Sequence, residues 1–217
     1  MNTSMTGGRN GCTLIRSRSR VASRYSKGKC RKQRRSVDAS ERRNWNALMY
    51  DHLIRKAEQL RRQAFQAFVE HGEAHLGGSF SMIEMLLALY ERVLQEEDKF
   101  ILSKAHASFP LCLLLREKGF HPKLSTHLEL DPVNGIHCTT GSLGHGLPIA
   151  MGMAAARKRL GRSGRIYVMI SDGECQEGTT WESLLIGATH ELDNLIVLVD
   201  YNKVPVSYTH LRAHETS

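Results

Sequence analysis

The 217-residue chain is long enough for one ordinary domain with a sizeable core. Its formal charge of +8 is uneven: eleven of the Lys and Arg residues and no acid fall within residues 1–37, so without them the remainder carries −3. Five cysteines with no CxxC pair, no secretory apolar region and no apolar run near the roughly 18 residues of a membrane span argue against a disulfide scaffold and a membrane protein, and fit a reducing, cytoplasmic setting.

In chain order, "RSRSRVASRYSKGKCRKQRRS" is rich in Arg and Ser and cannot build a core. It reads as a nucleic-acid-binding arm poor in aromatics, as an organelle transit peptide, or as upstream frame preceding a true start at Met49. Residues 1–48 are therefore set apart from a globular part at 49–204. From Tyr50 to His71, Leu53, Ile54, Ala57, Leu60, Ala64 and Phe68 recur at helical spacing, and Gly72 stops the helix. "SMIEMLLALYERVL", Ser81 to Leu94, predicts a second helix capped by its serine. "KFILS" predicts a strand, "HASFPLCLLLREKG" a helix, and Pro122, Pro132 and Asn134-Gly135 a loop. "TTGSLGHGLPIAMGMAAARKRLG" reads as a glycine-rich turn opening a helix. "RIYVMIS" and "NLIVLVD" are apolar enough to be fully buried strands, with a helix over Gly178 to His190 between them. Strands of this kind alternating with helices predict an α/β fold, a doubly wound parallel sheet with helices on both faces.

The chemistry gathers at two strand ends. Asp172 ends one strand and Asn202 follows the next, thirty residues later, which is about one βαβ unit. Both therefore emerge at the carboxyl edge of the sheet, where open α/β sheets bind ligands. A carboxylate beside a carboxamide oxygen suits a hard cation such as Mg²⁺, which keeps positions for phosphate oxygens and water. Gly173 lets backbone N–H groups approach an anion, and the helix after Gly178 adds its dipole from further away. An Asp-Gly alone would be an ordinary turn, and a lone histidine in a glycine-rich loop an ordinary solvated side chain.

The joint pattern is narrower. Asp172-Gly173, then Glu177-Gly178, then "VDYNKV" resembles the thiamine-diphosphate motif of transketolases, and "HLGGSFS", "LSKAHAS" and "TTGSLGHGL" resemble transketolase segments in the same order. The resemblance runs from about Lys56 to Val204. It implies the N-terminal, thiamine-diphosphate-binding portion of an enzyme that moves a two-carbon ketol unit between sugars or sugar phosphates, with Mg²⁺ (or Ca²⁺ or Mn²⁺) as the ion. Carried over by position, Asp172, Asn202 and the carbonyl of Val204 hold the ion, and Gly173 touches the diphosphate. Gly141, Ser142 and Leu143 lie along the aminopyrimidine. Glu177 belongs to a carboxylate relay reaching a catalytic glutamate of a pyrimidine-binding domain, supplied by a later part of the chain or by another subunit of a dimer or heterotetramer. His75, His106 and His127 face the thiazolium and the substrate, where proton transfer near neutral pH suits imidazole.

There are departures from the family pattern. Ser171 stands where Gly is usual, Ala74 and Leu76 flank His75, Ala105 precedes His106, and His137 replaces a common Asp; these bear on sugar specificity rather than on the cofactor. Deoxyxylulose-phosphate synthase, the α subunit of 2-oxo acid dehydrogenases, a non-catalytic paralogue and a basic nucleic-acid-binding protein remain alternatives. Finally, "VSYTHLRAHET", Val206 to Thr216, resembles the translation of a transposase-type sequencing adapter. Native sequence is thus expected to end near Val204, residues 205–217 are set aside, and His210 and His214 are not a metal pair.

Overall fold

The computed structural model describes residues 39–72 and 75–202. The basic arm, Val204 and the adapter-like tail lie outside the described residues, and the readings made of them are not tested by the fold.

The described residues form a parallel three-stranded sheet in the order β1 (Lys99–Leu102), β2 (Ile166–Ser171), β3 (Leu195–Asp200). Phe100 pairs with Tyr167, and Tyr167 with Ile196. Side chains alternate across a strand, so this register sorts them into two cores. Phe100, Leu102, Tyr167, Met169, Ile196 and Leu198 face one side, against Leu60 of α1 (Ala39–His71), Ile83 and Leu87 of α3 (Ile83–Ala88) and Leu111 and Leu114 of α4 (Phe109–Glu117). Ile101, Ile166, Val168, Ile170 and Val197 face the other, against Leu147, Ala150 and Ala154 of α5 (Gly146–Arg159). Of the two strands expected to be fully buried, β2 is, at every residue, because helices cover both its faces; β3 is not, being half-buried along most of its length with Val199 43% exposed, because it is the outer strand of the described sheet.

Two local expectations are corrected. The second helix does not start at Ser81. The chain is already helical over α2 (Leu76–Ser81), closed by the Ser79 N–H donating to the His75 carbonyl at 2.9 Å, and it breaks at Met82 before α3. Ser81 ends a helix rather than capping one, and Leu89–Val93 is a π-helical turn. Gly77 and Gly78 are poor helix formers, and of α2 only Ser79 is buried. In α1, Ala57, Leu60, Ala64 and Ala67 form the buried stripe, while Ile54 is 56% exposed. α6 (Gly178–Thr189) joins β2 to β3 as expected.

Candidate active site

Because the strands are parallel, one edge of the sheet collects the residues after each: Ser103 to His106 beyond β1, Asp172 to Glu174 beyond β2, and Tyr201-Asn202 beyond β3. The Asp172 N–H donates to the Asp200 carbonyl at 3.2 Å, extending the ladder by one step and holding the β2 and β3 ends together. Asp172 is partly buried and accepts from the Gly173 N–H at 3.0 Å. Asn202 donates from Nδ2 to Ser81 Oγ at 3.2 Å. The two residues assigned to the cation are thus oxygen-bearing side chains at the ends of adjacent parallel strands.

The three histidines come from distant segments and gather at this edge. His75 and His106 meet edge to face, 4.9 Å between ring centroids, and the His75 N–H donates to the His106 carbonyl at 3.3 Å. His127 arrives by a different route. Leu128 and Thr140 exchange backbone hydrogen bonds at 3.0 and 2.9 Å, which lays the His127 segment beside Gly141. A Cβ on Gly141 would overlap His127 Cδ2, so this approach needs glycine. His106 is held low, at about 4, first by burial and then by the fields of His75, Lys104 and His127. Its buried Nε2 has no hydrogen-bond partner among the described residues. The result is a neutral imidazole at physiological pH.

Ser142 is exposed and shares a 3.1 Å contact with His145 Nδ1, and Leu143 is half-buried. Glu177 is exposed at the start of α6. It packs against the glycine turn: a Cβ on Gly144, whose φ is +76°, would lie 2.9 Å from Glu177 Cβ and 2.7 Å from Thr179 Oγ1. His137 lies elsewhere. Burial lowers it first, and then the fields of Lys99, the first residue of β1, and Arg157, in the last turn of α5, neighbours that put it toward the opposite edge of the sheet. That departure from the family pattern is not at the site.

Sequence reasoning gave no role to three groups. Glu174 is fully buried and accepts from Ser103 Oγ, from the Gly144 N–H at 3.0 Å and from the Ser171 N–H at 2.9 Å, so it ties the glycine turn to the ends of β1 and β2. Lys104, also fully buried, pairs with Asp200 and donates to the Gly78 carbonyl at 2.7 Å. Burial pulls the ammonium below the usual lysine range, while Asp200, Glu174 and Asp172 act the other way. The signal for Lys104 lay inside "LSKAHAS", and that for Asp200 inside "VDYNKV".

The model of the transketolase thiamine diphosphate binding domain matches residues 53–212. The chain belongs to this family. Among curated relatives, it is 37% identical to a subunit of the apulose-4-phosphate transketolase of Actinobacillus succinogenes, over 74% of this chain and 66% of the relative. It is 34% identical to the 6-deoxy-6-sulfo-D-fructose transketolase subunit SqwG of a Clostridium species, over 71% and 64%. Human transketolase is 32% identical over 68% of this chain and 27% of the relative. Among solved structures, a transketolase variant of Pichia stipitis superposes with a TM-score of 0.61 at 26% identity, covering 70% of this chain and 27% of that one. The Campylobacter jejuni transketolase gives 0.59 at 26%, covering 68% and 28%. The chain therefore spans about two thirds of the relatives named as subunits and about a quarter of human transketolase. Thiamine diphosphate binding is what the family's domain does, and open α/β sheets bind ligands in the crevice at their carboxyl edge.

Proposed function

We propose that this domain works within a transketolase that transfers a two-carbon ketol unit between sugar or sugar-phosphate substrates, in the cytoplasm, with a divalent cation holding the diphosphate. The observation that carries the reading is the convergence of His75, His106 and His127 on the sheet edge that also presents Asp172 and Asn202. Thiamine diphosphate, when bound, supplies a carbanion equivalent for breaking and making the bond beside a ketose carbonyl. The chain's own residues do the rest. Asp172 and Asn202 fit a hard cation such as Mg²⁺ because their donors are a carboxylate and a carboxamide oxygen; the main-chain carbonyl of Val204, outside the described residues, is the third ligand that the family resemblance implies. Gly173, with no side chain, admits the diphosphate to the backbone. Gly141, Ser142 and Leu143 form the wall for the aminopyrimidine. His106, a half-buried neutral imidazole, is the acceptor for a sugar hydroxyl proton, with His75 and His127 beside it.

The partner reading also has support on the surface. Helix α6, which follows directly on Glu177, exposes Trp181 (57%), Leu185 (69%) and Ile186 (45%), an apolar face suited to burial against another domain or protomer. Glu177, exposed just before the helix, is the residue proposed to meet a glutamate of that partner. No described helix is long and apolar enough to cross a membrane.

The test pairs two measurements on the protein with its partner domain present. Ketol transfer should require thiamine diphosphate and Mg²⁺, and His106→Ala should lower turnover by about 10²–10⁴-fold while calorimetry shows cofactor affinity close to wild type. Undiminished turnover in His106→Ala would remove the proton-transfer role.

A further inference from the structure

Lys104, Asp200 and Ser81 meet at Asn202, and none of them has a part in the reading above. Lys104 Nζ pairs with Asp200 Oδ2, and the same oxygen accepts from Ser81 Oγ at 2.5 Å. Ser81 Oγ in turn accepts from Asn202 Nδ2 at 3.2 Å. Valence sets the direction of this chain. A carboxylate facing an ammonium has no proton to give and can only accept. Ser81 has a single hydroxyl proton, and the short bond to Asp200 claims it. The other acceptor within reach, the Gly78 carbonyl, is at 3.3 Å and already takes a proton from Lys104 at 2.7 Å.

What Ser81 turns toward Asn202 is therefore a lone pair. A lone pair accepts an N–H and repels a carbonyl oxygen. The two ends of a carboxamide are nearly the same shape, so packing alone cannot tell them apart. The electrostatics of Ser81 can.

We infer that Lys104, Asp200 and Ser81 form a polarity relay that sorts the Asn202 carboxamide, drawing its amino group to Ser81 and turning its oxygen outward as a cation ligand. The inference rests on the reading that Asp172 and Asn202 hold the cation. Ser81 and Asp200 are positioning residues, since they act through Asn202. Without the relay the amide could turn its amino group to the ion, and the site would lose an oxygen donor in that fraction of molecules. A fixed outer partner for a metal ligand is worth about 10- to 100-fold in metal affinity.

Calorimetric titration with thiamine diphosphate, with and without Mg²⁺, tests the relay on wild type, Asp172→Ala, Ser81→Ala, Ser81→Thr, Asn202→Asp and the double variant Asn202→Asp/Ser81→Ala. Circular dichroism confirms that each is folded. Half-buried Ser81 is the target because breaking the Lys104–Asp200 pair could unfold the domain. The relay predicts that Ser81→Ala weakens Mg²⁺-dependent affinity by about 10- to 100-fold and that Ser81→Thr restores it. In the Asn202→Asp background Ser81→Ala should have little effect, because a carboxylate has no amino end to misplace. If Asp172→Ala loses the affinity and Ser81→Ala keeps it, the relay is refuted while the cation reading stands. An equal loss from Ser81→Ala in both backgrounds refutes it too, since the hydroxyl would then act without sorting the amide. A wild type with no metal-dependent affinity, or Asp172→Ala that retains it, overturns the cation reading and the relay with it.

Discussion

Lys104→Met, measured on the protein without cofactor, probes the ion pair beneath the site. The Lys104 side chain is fully buried and that of Asp200 is 5% exposed, so neither charge is hydrated. Removing the ammonium leaves the buried carboxylate without its cation, held by the Ser81 hydroxyl, and deprives the Gly78 carbonyl of its 2.7 Å partner. Breaking a buried pair from one side costs about 3–5 kcal/mol. With a urea dependence of about 2 kcal/mol per molar, the unfolding midpoint should fall by about 2 M. Lys104→Met/Asp200→Leu supplies the control. It removes both charges and leaves the Gly78 carbonyl with the Ser81 hydroxyl at 3.3 Å in place of the ammonium, a residual loss of about 1–3 kcal/mol. The double variant should therefore be more stable than the single one. A Lys104→Met protein that unfolds within about 0.5 kcal/mol of wild type, the usual scatter of a surface substitution, would refute the reasoning, as would a double variant weaker than the single.

Three further outcomes are expected. Gly141→Ala should destabilise by about 1–3 kcal/mol through overlap with the His127 ring, and His127→Ala should relieve most of that loss; equal losses in both backgrounds would place the strain elsewhere. His106 and His137 are both held at about 4, below the ordinary 6.5, chiefly by burial. Their folded values are depressed, so the unfolded chain binds protons first as pH falls; this contribution leaves stability whole above about 6.5 and erodes it down to about 4. Melting temperatures across that range should fall less in His106→Gln/His137→Gln than in wild type, and an unchanged pH slope would count against both shifts. Leu185→Glu on the exposed face of α6 should abolish oligomer formation in sedimentation velocity, and a variant that still assembles would put the contact on another surface.

The strands were legible because burial on both faces leaves near-continuous runs such as "IYVMIS", and their order follows from the helices between them. The start of the second helix was not legible. Its glycines, Gly77 and Gly78, are poor helix formers, so no local pattern extends the helix before Ser81. At the site, spacing placed Asp172 and Asn202 at one sheet edge because βαβ connections repeat in length and hand. Lys104 escaped notice because a lysine after a strand ordinarily reaches solvent. Its partner Asp200 lies 96 residues away, and no local pattern announces a pair of that separation. Glu174 and Glu177 look alike in "DGECQEG". The fold buries the first among backbone donors and leaves the second exposed, a distinction set by where the glycine turn at Gly144 packs.

A crystal of the protein grown with thiamine diphosphate and Mn²⁺, with data collected at the manganese absorption edge, tests the central claim most directly. The account predicts one anomalous peak in contact with an Asp172 carboxylate oxygen and with Asn202 Oδ1, the diphosphate on the same ion, and Asn202 Nδ2 still on Ser81. A manganese peak and diphosphate lying away from Asp172 and Asn202 would contradict it.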